Sequence, residues 1–243
     1  MNRYLLSAFV SAVLATSTFP AARADVQILT DNGGMIDLIS ITGTITEGDA
    51  KTLRDIENRL AQSRFRVSLD GRSGDVAAAM EIGRLIRKYD AVTLIYHDMK
   101  CYGSCGLIFI AGVNRENYGE LGLHRPHLAI APQDREAVEQ QILRIFSAIK
   151  SYIAEMGITD DFYQLMINTE PSKMLIYTGS EYEKLVPKLD PTYEEIQVAL
   201  EARRYGVTTS EMRARKAEAE RCPHQPARMA RFHLIVMMPL SGG

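Results

Sequence analysis

Cysteine is scarce in this chain: three residues among 243 exclude a small disulfide-built scaffold. Charge of one sign is lacking as well. A net charge of −2 argues against general nucleic-acid binding, which needs a basic surface to meet phosphates. Beyond the first two dozen residues there is no long apolar run, so the processed chain carries no membrane span. The sequence has no internal repeat, no low-complexity tract and no Walker-type glycine loop, and therefore supplies no nucleotide-driven motor of its own. Cys101, Cys105 and His124 do not follow a standard zinc spacing, so neither a metal nor another cofactor is implied.

What is present begins with an export signature. "MNR" gives a positive start, "YLLSAFVSAVLA" an apolar stretch of signal-peptide length, and "AARA" a small-x-small cleavage site ending at Ala24. Residues 1–24 are thus expected to be removed, leaving a soluble periplasmic or secreted product from Asp25 onward. In that oxidising setting an odd cysteine count predicts one pair and one leftover thiol, Cys222 being the expected remainder.

The mature chain reads as alternating strands and helices. "MIDLISITGTI" has the β-branched alternation of a strand, and "TEGDAKTLRDIENRLAQ" follows as a helix with Leu53, Ile56 and Leu60 on one face. "RFRVSLDG" is a second strand, Gly71 to Gly74 a small-residue turn, and "DVAAAMEIGRLIRKY" a helix suited to packing on a sheet. "AVTLIYH" is the third strand. Then come a loop at "MKCYGSC", a buried helix "CGLIFIAGV", a short strand at "GELGLHR", and a long amphipathic helix between residues 132 and 157. "DDFYQLMINT", "KMLIYT" and "SEYEKL" add a helix, a strand and a short helix. This order predicts an α/β architecture built from crossover units over residues 25–190. From residue 191 to 243 the character changes to charged helices with weak apolar faces, a C-terminal helical extension.

Three segments in order, "LDGRSGDVAAAMEIGRLIR", "CYGSCGLIFIAG" and "LGLHRPH", resemble the Clp-type serine peptidases and, more broadly, the ClpP/crotonase-like fold. With "ITGTITEGDAKTL" they cover most of residues 38 to 130, and the likeness is greatest to exported relatives with paired cysteines in the nucleophile segment. The resemblance implies a repeated β-β-α spiral that assembles as a homo-oligomer. It also implies a serine at the start of a buried helix, activated by a histidine that an acid holds in place. By this correspondence Ser104 is the candidate nucleophile, His124 the base and Glu170 the acid, with Gly74 and Ser104 lending backbone N–H groups to an oxyanion hole. Asp160 and Asp161 are more remote acids; His97 and His127 are rival bases. The family's Ser-Pro-Gly-Gly turn is here Gly71-Arg72-Ser73-Gly74, and Met174 stands near the place of its aspartate. Counting back from Ala111-Gly112 puts Gly103 at the nucleophile position and Ser104 one residue later, which turns a helical side chain by about 100°.

Cys101 and Cys105 are close enough in sequence for a disulfide that would pin the loop carrying Gly103 and Ser104. A redox-active pair, a Cys105 nucleophile near His124, a bridge to Cys222 and a metal site remain alternatives. Two functions follow. One is an exported serine hydrolase or peptidase acting on peptides or small ligands without an ATP-driven partner. The other is a non-catalytic periplasmic binding or assembly module that kept the fold and lost a complete triad. Crotonase-like acyl-thioester chemistry is a third option, disfavoured because its cofactor is not expected outside the cytoplasm.

Overall fold

The computed structural model describes residues 25–30, 33–126 and 135–220. The export signature at 1–24, the rival base His127 and the leftover Cys222 lie outside the described residues.

The described chain is mixed α/β, with an eight-stranded mixed sheet. β1 (Asp25–Thr30) pairs antiparallel with β2 (Ile36–Ile45), and β2 runs parallel to β3 (Arg66–Gly74). At β3 the sheet forks. Its first residues, Arg66 to Ser68, pair with β4 (Val92–Ile95), whereas Arg72 near its end pairs with β5 (Lys100–Tyr102). β4 continues to β6 (Asn114–Asn117), while β5 continues through β7 (Glu120–Leu123) to the antiparallel edge strand β8 (Leu175–Thr178). One strand therefore feeds two sets of partners, and the end of β3 is where they part.

The predicted α/β order holds, with additions. β1 and β6 were not expected from the pattern, and "KCY", predicted as loop, is the strand β5. Three residues are too few to show a period of two, so only parallel neighbours on both sides make this segment a strand. The expected turn at residues 71–74 is instead the end of β3, and "SEYEKL" forms a 3-10 turn within Gly179–Lys184.

Helices cover the strands for reasons visible in their ends and faces. α1 (Glu47–Asp55) begins with a capping box between Thr46 and Asp49, and a short α2 (Glu57–Leu60) follows it. α3 (Val76–Lys88) is started by Asp75, whose side chain accepts the Ala78 N–H at 2.8 Å, and buries Ala79, Met80, Ile82 and Ile86. α4 (Ser104–Phe109) is buried all round, which suits a helix enclosed by strands and helices rather than a surface one. Each fully buried Leu, Ile or Phe here contributes about 1.5–3 kcal/mol of transfer free energy.

The long α5 (Arg135–Glu155) buries only Ile149, Tyr152 and Ile153, near its C-terminal end. The Tyr152 hydroxyl donates to the Leu107 carbonyl at 2.8 Å, tying α5 to α4. Its N-terminal part is exposed, with Leu143 67% accessible. α6 (Asp160–Asn168) turns back onto the core through Phe162, Tyr163 and Met166.

Arg115 anchors the passage into the C-terminal segment. It is 1% exposed, donates from Nε to the Ile110 carbonyl at 2.9 Å and from Nη1 to the Pro187 carbonyl at 2.7 Å, and burial pushes its guanidinium down to about 10. Arg87 pairs with Asp190 at 2.6 Å beside it, and Asp190 also receives Thr192 at the start of α7 (Tyr193–Tyr205). α7 and α8 (Thr209–Glu220) share a small cluster of their own, Val198, Ala202 and Met212, separate from the main core. Among the described residues no helix is long and apolar enough to cross a membrane.

Candidate functional site

The fork in β3 and the strand-turn-helix β5-Gly103-α4 face each other across a pocket of about 290 Å³. Gly103 is the apex of that turn, with φ 60° and ψ −121°, a conformation that glycine adopts without a side-chain penalty. Its N–H donates to the Gly122 carbonyl at 2.9 Å, which locks the apex to β7. This is the strand-to-helix geometry that presents a nucleophile elsewhere, but the apex here carries no side chain.

The missing hydroxyl comes from the end of β3 opposite. Ser73, at φ 60° near the end of β3, places its Oγ 3.2 Å from His124 Nε2. A Cβ built on Gly103 would lie 2.8 Å from the same Nε2 and would collide with Ser73 Oγ. Ser73 Oγ therefore occupies the space that a side chain at position 103 would take, and the absence of a Cβ at 103 is what admits it.

His124 follows β7 and is 7% exposed. Its Nδ1 is 3.0 Å from the Arg125 carbonyl oxygen, which can only accept a hydrogen bond, so Nδ1 carries a proton. In the neutral ring Nε2 is then the acceptor, and the Ser73 hydroxyl donates to it. The Arg125 N–H donates to the Thr169 carbonyl at 2.9 Å, which fixes this stretch against the end of α6.

The sequence-predicted residues divide between the pocket and its surroundings. His124, Gly74 and Ser104 all line the pocket, together with apolar Val76, Leu107 and Met166. Ser104 is 7% exposed as the first residue of α4, and its Oγ has no hydrogen-bond partner among the described residues; the hydroxyl facing Nε2 is that of Ser73. The 100° offset expected for a residue one past the apex accounts for this. As the first residue of α4, Ser104 has a backbone N–H with no carbonyl partner inside the helix, the property an oxyanion donor needs. Glu170 is exposed and pairs with Lys173 at 3.2 Å, and the group 3.0 Å from His124 Nδ1 is a backbone carbonyl. Asp160 pairs with Lys150 at 3.1 Å, and His97 is exposed against Tyr118, ring centroids 5.6 Å apart.

Cys101 and Cys105 form a disulfide with Cα atoms 5.2 Å apart, one in β5 and the other in α4. Both are buried, and a Cβ on Gly71 would come 3.2 Å from Cys105 Sγ. The bridge thus clasps the Gly103 apex and rests on the strand that delivers Ser73. The bond takes up both thiols, which removes a free Cys105 nucleophile and a Cys101 or Cys105 bridge to Cys222. Among the described residues no group of three or more His, Cys, Asp or Glu side chains is placed to hold a metal ion.

Sequence reasoning missed Ser73. The signal was a serine where the resembled turn carries its first glycine, coupled with a glycine where that family carries its serine. No family model matches this chain, and no curated protein matches it either.

Proposed function

We propose that this chain is an exported serine hydrolase of the ClpP/crotonase-like type, with Ser73 as nucleophile and His124 as general base. The observation that carries the proposal is the 3.2 Å approach of Ser73 Oγ to His124 Nε2 inside a pocket bordered by a helix start. Ser73 Oγ attacks a substrate carbonyl as Nε2 takes its proton, and the tetrahedral oxyanion is met by backbone N–H groups at Ser104 and Gly74. His124 returns the proton to the leaving group, and a water repeats the cycle on the acyl-serine. The Arg125 carbonyl at Nδ1 orients the ring for this step.

The spiral form of the fold is part of this proposal. It is supported by the forked β3 and by the parallel β-α-β crossovers through α1, α3 and α4. The substrate class is peptides or small acyl compounds, since a pocket of about 290 Å³ admits one side chain or acyl group at a time. Export, with cleavage after Ala24, rests on the N-terminal pattern and fits the buried disulfide, a bond that persists in oxidising compartments. A homo-oligomer is proposed on the exposed part of α5, where Leu143 is left open beside the half-buried Ile142.

The second reading is the non-catalytic binding or assembly module. It is favoured by one observation, the surface pairing of Glu170, the expected acid, with Lys173. A fluorophosphonate probe decides between the two. The hydrolase reading expects covalent labelling of the folded, oxidised protein, lost in Ser73→Ala and His124→Ala, kept in Ser104→Ala, and mapped to Ser73 by peptide mass spectrometry. No labelling, or labelling that survives Ser73→Ala, rejects it.

A further inference from the structure

A larger cavity, of about 550 Å³, lies between α7 and the main body and shares no lining residue with the Ser73 pocket. Arg203 and Arg204 enter it from the last turn of α7, and Arg64 from the segment before β3. Lys88 also lines it but is committed to Glu57 at 2.6 Å, and Asp37 is turned toward Arg66 at 3.6 Å. Three guanidiniums then face a single carboxylate, Asp90, whose ionisation is disfavoured by burial. Neither the Arg64 nor the Arg203 guanidinium has a hydrogen bond or ion pair among the described residues. The C-terminal end of a helix favours Arg203 and Arg204 by itself. It gives no reason for Arg64 to meet them from the other wall. An anion held between the walls uses the planar forks that guanidiniums present to carboxylate or phosphate.

Apolar side chains share the rest of the lining with Gln62 and Ser63. Leu60 and Leu200 line the cavity, and Met35 is left 49% exposed beside it. We propose that this cavity is a binding site for an anionic amphiphile, a carboxylate or phosphate ester carrying an alkyl or aryl group, with Arg64 and Arg203 on the anion.

Isothermal titration calorimetry of the folded chain tests this with decanoate and decyl phosphate below their micellar concentrations, against inorganic phosphate and decyl maltoside. Saturable binding of either anionic amphiphile is expected, weakened about ten-fold, or 1.4 kcal/mol, by Arg64→Gln with Arg203→Gln. The tighter of the two identifies the headgroup. Ser73→Ala should bind as the parent does, and the double arginine variant should label with fluorophosphonate as the parent does, so failure here is separable from failure of the hydrolase reading. Absence of saturable binding overturns the proposal. So does equal binding of inorganic phosphate or decyl maltoside, or an unchanged affinity in a double variant whose circular dichroism and melting match the parent.

Discussion

Replacing Gly103 with alanine probes the arrangement at its narrowest point. Two costs add. The backbone at φ 60° and ψ −121° is open to glycine but strained by about 1–3 kcal/mol for a residue with a Cβ. The new methyl also meets Ser73 Oγ inside contact distance and His124 Nε2 at 2.8 Å, so one turn must move; overpacking of this kind costs about 1–3 kcal/mol. Gly103→Ala should therefore lower unfolding free energy by about 2–6 kcal/mol in urea melts. Adding Ser73→Gly removes the colliding hydroxyl and leaves the backbone strain. The double variant should recover about 1–2 kcal/mol over Gly103→Ala, a coupling typical of residues in contact. In Gly103→Ala the probe reaction at Ser73 should also fall, because the methyl separates Oγ from Nε2. A loss of stability under about 0.5 kcal/mol, or additive effects of the two substitutions, would refute the claim that Ser73 fills the space of a side chain at 103.

The disulfide and the pH response give two further checks. Closing a loop as short as Cys101–Cys105 removes unfolded-state entropy worth about 2 kcal/mol, so Cys101→Ser with Cys105→Ser should lower stability by about that much and slow the labelling of Ser73; unchanged values for both would show that the clasp does not position the apex. Burial, and then the hydrogen bond to Glu120, hold the Tyr102 phenol protonated and raise it from its usual 10 to about 12. A raised folded value gives stability that is complete below pH 10 and lost as pH rises toward 12. The melting-temperature difference between the parent and Tyr102→Phe should therefore shrink across that window, and a constant difference would count against the assignment.

Much of the fold was legible because it rests on local periodicity. The apolar spacing of α3, its Asp75 cap and the alternation of β2 are properties of neighbouring residues, and each element formed close to where the pattern put it. β5 was hidden since a three-residue strand has no period of its own, and the four-residue β6 is likewise short. In the pocket, His124 was found because a histidine after a short strand has a recognisable context. Ser73 was overlooked because nothing within its own segment announces a hydroxyl aimed at a histidine 51 positions away.

The sequence alone determined the alternating α/β order, the neighbourhood of the pocket around residues 71–74, 101–105 and 124, and the cysteine pair that could close locally. The strand and helix order and the cysteine pair depend on residues near one another along the chain, and the pocket's neighbourhood on the order of three motifs. Which serine meets the histidine was decided only by tertiary structure. That choice depends on the fork of β3 against the Gly103 apex and on the volume left by one missing Cβ, and both arise when strands distant in sequence are brought into register.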